Sequence, residues 1–184
     1  DIEAKELLPI ITSVHELLST GKPARLLKLS EVEKPILKNL QLLTSKPVLY
    51  ICNVAEEDAT TGNKYSKLVQ DIANKENALS IIISAKIESE ISQLNNEEKN
   101  EYLTALGLKA SGLEQVIQSG YKLLDLITYF TSGPEESRAW TISKGSNAPR
   151  AAREIHTDFE KGFIRAEVVS YKDYVTFQGD KKSK

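Results

Sequence analysis

The sequence predicts an α/β fold for its central part and a small mixed sheet wrapped on a helix for its last part. Three observations carry this prediction. Val48-Leu49-Tyr50-Ile51-Cys52 is an apolar run rich in strand-forming residues that ends in Asn53 and, three residues on, Glu56. Ser80-Ile81-Ile82-Ile83 is a second such run, closed by Ser84-Ala85-Lys86, and the separation of about thirty residues suffices for the crossover helix that a parallel pair requires. The third observation is a change of character after Tyr129-Phe130, where β-prone runs alternate with turns and one short helix.

In chain order, Leu7, Leu8, Ile11, Val14, Leu17 and Leu18 form a helical stripe over Ile2 to Ser19 that Pro9 should bend or break, and Gly21-Lys22-Pro23 stops it. Ala24 to Leu43 gives a second stripe, with Ser30 and Glu33 spaced as a capping box and the helix starting near Glu31. The two helices read either as a packed antiparallel hairpin or as an arm that meets a partner. Tyr65, Leu68, Val69 and Ile72 set a helix over Lys64 to Glu76 that should cover one sheet face. Ile87 to Leu94 and Glu101 to Leu106 are helical, residues 95–100 read as loop or helix start, and Ser111-Gly112 opens another amphipathic segment. Ile127 to Phe130, Ser137 to Ile142 and Phe163 to Val169 read as strands, with a helix beginning at Ala148-Pro149. The tail from Gln178 to Lys184 is polar and expected to fray.

A 184-residue chain with 40% hydrophobic residues can bury a core, which excludes disorder throughout. The net charge of -2 gives no global bias toward nucleic acid, so any polyanion contact must be local. The lone Cys52 excludes a disulfide framework and reads as a buried small hydrophobe in a reducing compartment. No apolar run is long enough to span a bilayer and the amino end is unlike a signal peptide, so a cytoplasmic location is expected, without membrane association. Without an initiator Met, and with helical periodicity from the first residues, the chain reads as cut from something longer.

In an open α/β sheet, ligands bind at the carboxyl ends of the strands. Asn53 offers a donor and an acceptor to a purine edge, Ser84 and the backbone at Ala85 reach from the other side, and Lys86 can lay its stem along the ring. An Asn-x-x-Asp spacing suits the two donors of guanine, but here the fourth position is Glu56 and the second is Val54, which weakens strict guanine selection. A plain strand-to-helix turn accounts for the same residues. No GxxxxGK[ST] loop is present to hold a triphosphate. Arg138, Lys144, Arg150 and Arg153, with Trp140 and Phe159 for stacking, form a modest basic cluster suited to RNA, and Lys161 and Arg165 lie just beyond it. His156 reads as a cap or a surface contact, and no metal-ligand spacing accompanies it.

These residues carry a resemblance that covers nearly the whole chain. Lys46 to Asp58 resembles the fourth guanine-nucleotide motif region of the YchF family, the Obg-like ribosome-associated ATPases among P-loop GTPases, and Ser84-Ala85-Lys86 matches the fifth. Ala139-Trp140-Thr141-Ile142, Ala148-Pro149 and the string His156 to Val168 resemble that family's TGS module, a ubiquitin-like β-grasp fold. The resemblance implies a helical arm and return helix at 1–44, the carboxyl-terminal half of a G domain at 45–125, and an incomplete TGS module at 126–184. It implies ATP preferred over GTP, with Asn53, Val54, Glu56, Ser84, Ala85 and Lys86 at the base. Hydrolysis with Mg2+ would need an amino-terminal half that supplies the phosphate loop, so this chain is assigned no catalytic or metal-binding residue and no tightly held nucleotide. Implied partners are the ribosome or its RNA, met through Arg138, Lys144, Arg150, Arg153, Lys161 and Arg165, the missing half of the G domain, and a second copy joined through the helical arm, whose Leu7, Ile11 and Val14 the resemblance leaves exposed unless another chain covers them.

Overall fold

The computed structural model describes residues 2–177, apart from the side chains of residues 2–4 and 6; the expected frayed tail lies outside the described residues. Two compact units divide the chain, Asp1–Leu124 and Asp125–Lys184.

The first unit begins with helix α1, Ile2–Ser19, and the shorter α2, Glu33–Asn39. Pro9 does not interrupt α1: one backbone bond is missing, and the burial of Ile10 and Val14 just beyond it holds the helix. The long second helix is not formed. Pro35 is tolerated only in a first turn, so the helix starts at Glu33, and Gln41 in the left-handed region (φ 50) ends it. Ser30 donates its backbone and hydroxyl hydrogens to the Glu33 carboxylate, at 2.8 and 2.6 Å, but Val32 is the helix cap. Ile10, Val14 and Ala24 are buried against Leu27, Ile36, Leu37 and Leu42, so Val14 is covered by its own chain, while Leu8, Ile11 and Leu18 stay exposed.

Strands β1, Leu49–Asn53, and β2, Leu79–Ile83, pair in parallel with Asn53 opposite Ile83, and α3, Lys64–Lys75, is the crossover between them. Asn63 caps α3 in a reciprocal box with Ser66. The side of α3 that sinks into the unit carries Ser66 and Ala73; Tyr65, Leu68 and Ile72, expected to cover the sheet, are exposed. Cys52 is half-buried rather than buried, and Ile51 beside it is 48% exposed. Among the described residues β1 pairs with β2 alone, and a parallel sheet ordinarily buries its strands on both sides. Helices α4, Ala85–Ile91, α5, Asn96–Ala105, and α6, Gly112–Leu123, follow, so residues 95–100 are largely a helix start, capped by Asn95 and Glu98. Ile87, Ile91, Leu103 and Ala59 make the unit's second buried cluster.

In the second unit β3, Leu126–Ser132, and β4, Ser137–Ser143, form an antiparallel hairpin in which Tyr129 faces Trp140. Three short helices follow among the described residues: α7, Ala148–Ile155, α8, Thr157–Lys161, and α9, Tyr171–Thr176. Phe163 to Val169 is not a strand. Its alternation is of strand type, but a strand needs a ladder partner and none is present among the described residues, which leaves Ile164 91% and Val168 85% exposed.

Candidate nucleotide-base site

The parallel ladder brings the ends of β1 and β2 together and runs one residue further, with the Val54 N–H donating to the Ile83 carbonyl at 2.9 Å. Asn53 Oδ1 accepts the backbone N–H of Ala85 at 2.9 Å, so a side chain at one strand end is fastened to the turn at the other. That bond uses the acceptor of the amide and leaves Nδ2 as a donor on an exposed residue. Ser84 is only 3% exposed, and its Oγ is buried without a hydrogen-bond partner among the described residues. Buried polar atoms are ordinarily paired, which makes this one a marked exception.

Glu56 lies in the single 3-10 turn Glu56–Asp58 that follows β1. Its Oε2 accepts from Lys86 Nζ at 2.9 Å, so the ammonium is paired with the carboxylate. A second carboxylate, Glu90, is 4.0 Å away, and Tyr102 of α5 donates its hydroxyl to Glu90. Hydrogen bonding to Glu56 foremost, then the charges of Glu56 and Glu90, raises the Lys86 pKa above its usual value. The six residues expected at the base, Asn53, Val54, Glu56, Ser84, Ala85 and Lys86, therefore meet at the carboxyl ends of the two strands. A separate cleft of about 530 Å3, lined by Cys52, Gln70, Ser80, Gln115 and Gln118 among others, includes none of them.

Two supports were not read from the sequence. Glu88, on the first turn of α4, accepts the backbone N–H groups of Gly112 at 2.6 Å and Leu113 at 3.1 Å, fastening the start of α6 beside the Ser84–Lys86 turn. A Cβ on Gly112 would lie 2.9 Å from Glu88 Oε1 and 2.9 Å from Ile83 Cγ2, so only glycine allows that approach. Glu76, half-buried, accepts from both Arg25 and the Tyr50 hydroxyl, tying the turn after α1 to β1. The only sequence signal for the first of these was a glycine directly after a capping serine.

The basic residues of the second unit are not gathered in the same way. Arg138 stacks over Trp140 at 4.3 Å, and the Trp140 ring donates to Thr131 at 2.9 Å. Arg153 pairs with Glu160 at 3.3 Å. Lys144 and Arg150 share a hollow with Gly145, Ser146 and Asn147 at the mouth of α7, and Lys161 and Arg165 are exposed. His156 is a cap: its Nδ1 accepts from the Asp158 backbone at 3.3 Å. Among the described residues no group of His, Cys, Asp or Glu is placed to hold a metal ion, and no helix is long and apolar enough to cross a membrane.

Comparison with known proteins gives the chain a family. The family model YchF-GTPase_C, described as a protein of unknown function (DUF933), matches residues 126–184. The Ribosome-binding ATPase YchF of Haemophilus influenzae is 47% identical over 184 residues, covering 100% of this chain and 50% of that protein. The protein of the same name from Bacillus subtilis is 46% identical over 172 residues, covering 92% of this chain and 47% of its own length. The structure of the Schizosaccharomyces pombe YchF GTPase superposes with a TM-score of 0.84 at 37% identity, over 97% of this chain and 48% of that one. The chain spans about half the length of the curated relatives it matches. Along its whole length, then, the chain matches the YchF family of P-loop GTPase and Obg-like ATPase proteins.

Proposed function

We propose that this chain supplies the purine-reading side of a nucleotide site in a cytoplasmic, ribosome-associated ATPase that prefers ATP over GTP. The observation that carries the reading is the Asn53–Ala85 bond at 2.9 Å. It aims the Asn53 amide N–H2 outward as a donor, and N7 of either purine is an acceptor. On this reading Val54, Ala85 and Lys86 frame the ring. The unpaired edge of β1, with Ile51, Leu68, Ile72 and Ile117 exposed around the sheet, fits a sheet that continues into a further half of the G domain. That half would hold the phosphates and Mg2+, which supply the charge stabilisation of phosphoryl transfer. The chain's own residues bind and orient the base. ATP turnover of the isolated chain should stay at background; turnover well above background that survives Asn53→Ala would overturn this division of labour.

A second reading, a ribosomal RNA contact through the second unit, is favoured by the hollow that Lys144 and Arg150 share. It is compatible with the first, since it uses other residues.

A further inference from the structure

Glu56 stands where a base-reading carboxylate is expected, yet its Oε2 is engaged by Lys86 Nζ at 2.9 Å. Lys86 reaches it from the first turn of α4, the helix that grows out of the second strand end. The ammonium sits between two carboxylates, 4.0 Å from Glu90, and Glu90 is itself held by the Tyr102 hydroxyl. This chain of partners crosses from the turn after β1 to α4 and α5 and keeps Lys86 on the Glu56 side of the site.

Resting on the base-site reading above, we propose that Lys86 is a specificity-determining residue, which lets adenine into the site by holding the Glu56 carboxylate in an ion pair. Guanine presents a ring N–H and an exocyclic amine, both donors that a free carboxylate accepts; adenine presents a ring acceptor at the same place, which a free carboxylate repels. A carboxylate paired with an ammonium neither rewards guanine fully nor penalises adenine fully. Specificity is a difference between two affinities, so weakening the repulsive element is enough to shift it. The size of the effect follows from exposure. Lys86 and Glu56 are 68% and 32% exposed in their side chains, and pairs of this kind are worth little in water, so the shift is about two- to fivefold.

The test uses a full-length protein that carries these residues, titrated at equilibrium with fluorescent ADP and GDP derivatives. Lys86→Met keeps the aliphatic stem and removes the charge, and should raise the GDP-to-ADP affinity ratio about two- to fivefold. In a Glu56→Gln background the same change should leave the ratio where it was. The unmodified protein gives an independent measurement, because phosphate contributions cancel in the ratio: rising salt should move it toward GDP as the exposed pair is screened. A ratio unmoved by both Lys86→Met and salt would overturn the inference, as would an equal shift in the Glu56→Gln background. Failure of the unmodified protein to bind either nucleotide would instead overturn the base-site reading itself, and this inference with it.

Discussion

The strand ends of the first unit and the basic residues of the second are both sets of polar side chains near the surface, but they are organised by different forces. Asn53 is bonded to Ala85 and Glu56 to Lys86, and Asn53 itself sits in the backbone ladder, opposite Ile83. Arg138, Arg153, Lys144 and Arg150 are each engaged locally, by an aromatic ring, a neighbouring carboxylate or a turn. The difference teaches what each region is suited to. A site whose donors are fixed before a ligand arrives can discriminate between shapes, whereas separately placed charges act through a summed field that salt screens.

The comparison can be broken most severely at the packing beneath the strand ends. Ile87, 1% exposed, follows Lys86 directly and anchors α4 in the core. Ile87→Ala should cost about 2–5 kcal/mol by urea unfolding, through lost burial and the cavity left behind. A loss under about 1 kcal/mol would mean that α4 is not what holds the recognition turn.

A smaller effect should appear with pH. The Glu76 pKa is lowered, mainly by the Arg25 hydrogen bond and next by the Tyr50 hydroxyl. A depressed folded value means that the stabilisation is present above the ordinary carboxylate pKa and is lost as pH falls through the folded one. Between about pH 6 and about pH 3 the urea midpoint should therefore fall less in Glu76→Gln than in the unmodified chain. An equal fall in both would show that the link from Arg25 to β1 contributes nothing.

The smallest effect belongs to the second unit. Replacing Lys144 and Arg150 together by Gln should weaken ribosomal RNA binding and reduce the slope of log affinity against log salt by about 1–2. An unchanged slope would move the RNA contact away from their hollow.

Much of the first unit was legible because its signals are local or topological. Two apolar runs a crossover apart can hardly avoid bringing Asn53 and Ser84-Ala85-Lys86 together, and α3 appears where its periodicity puts it. What was not legible depends on distant neighbours. Which stripe of α3 sinks into the unit is decided by what covers it, so Tyr65, Leu68 and Ile72 read as core and stand exposed. The bonds of Glu88 to Gly112 and of Arg25 to Glu76 join residues far apart in sequence, with no periodic signature. The opposite charges of Glu56 and Lys86 were a usable signal once their strands were placed side by side, but the stem of Lys86 was read against a ring and not its ammonium against a carboxylate. Phe163 to Val169 fails for the complementary reason: alternation shows that a segment can be a strand, and only a partner makes it one.

The central claim is that the bond from Ala85 to Asn53 prepares the asparagine to read a purine. Equilibrium binding of ADP to a full-length protein that carries these residues, before and after Asn53→Ala, tests it most directly. The variant removes both the outward donor and the tie between the strand ends, so affinity should fall by about ten- to a hundredfold, the range of a well-made hydrogen bond to a ligand plus lost positioning. Affinity unchanged within about twofold, in a variant that unfolds at the same urea concentration, would contradict the account and move the base elsewhere.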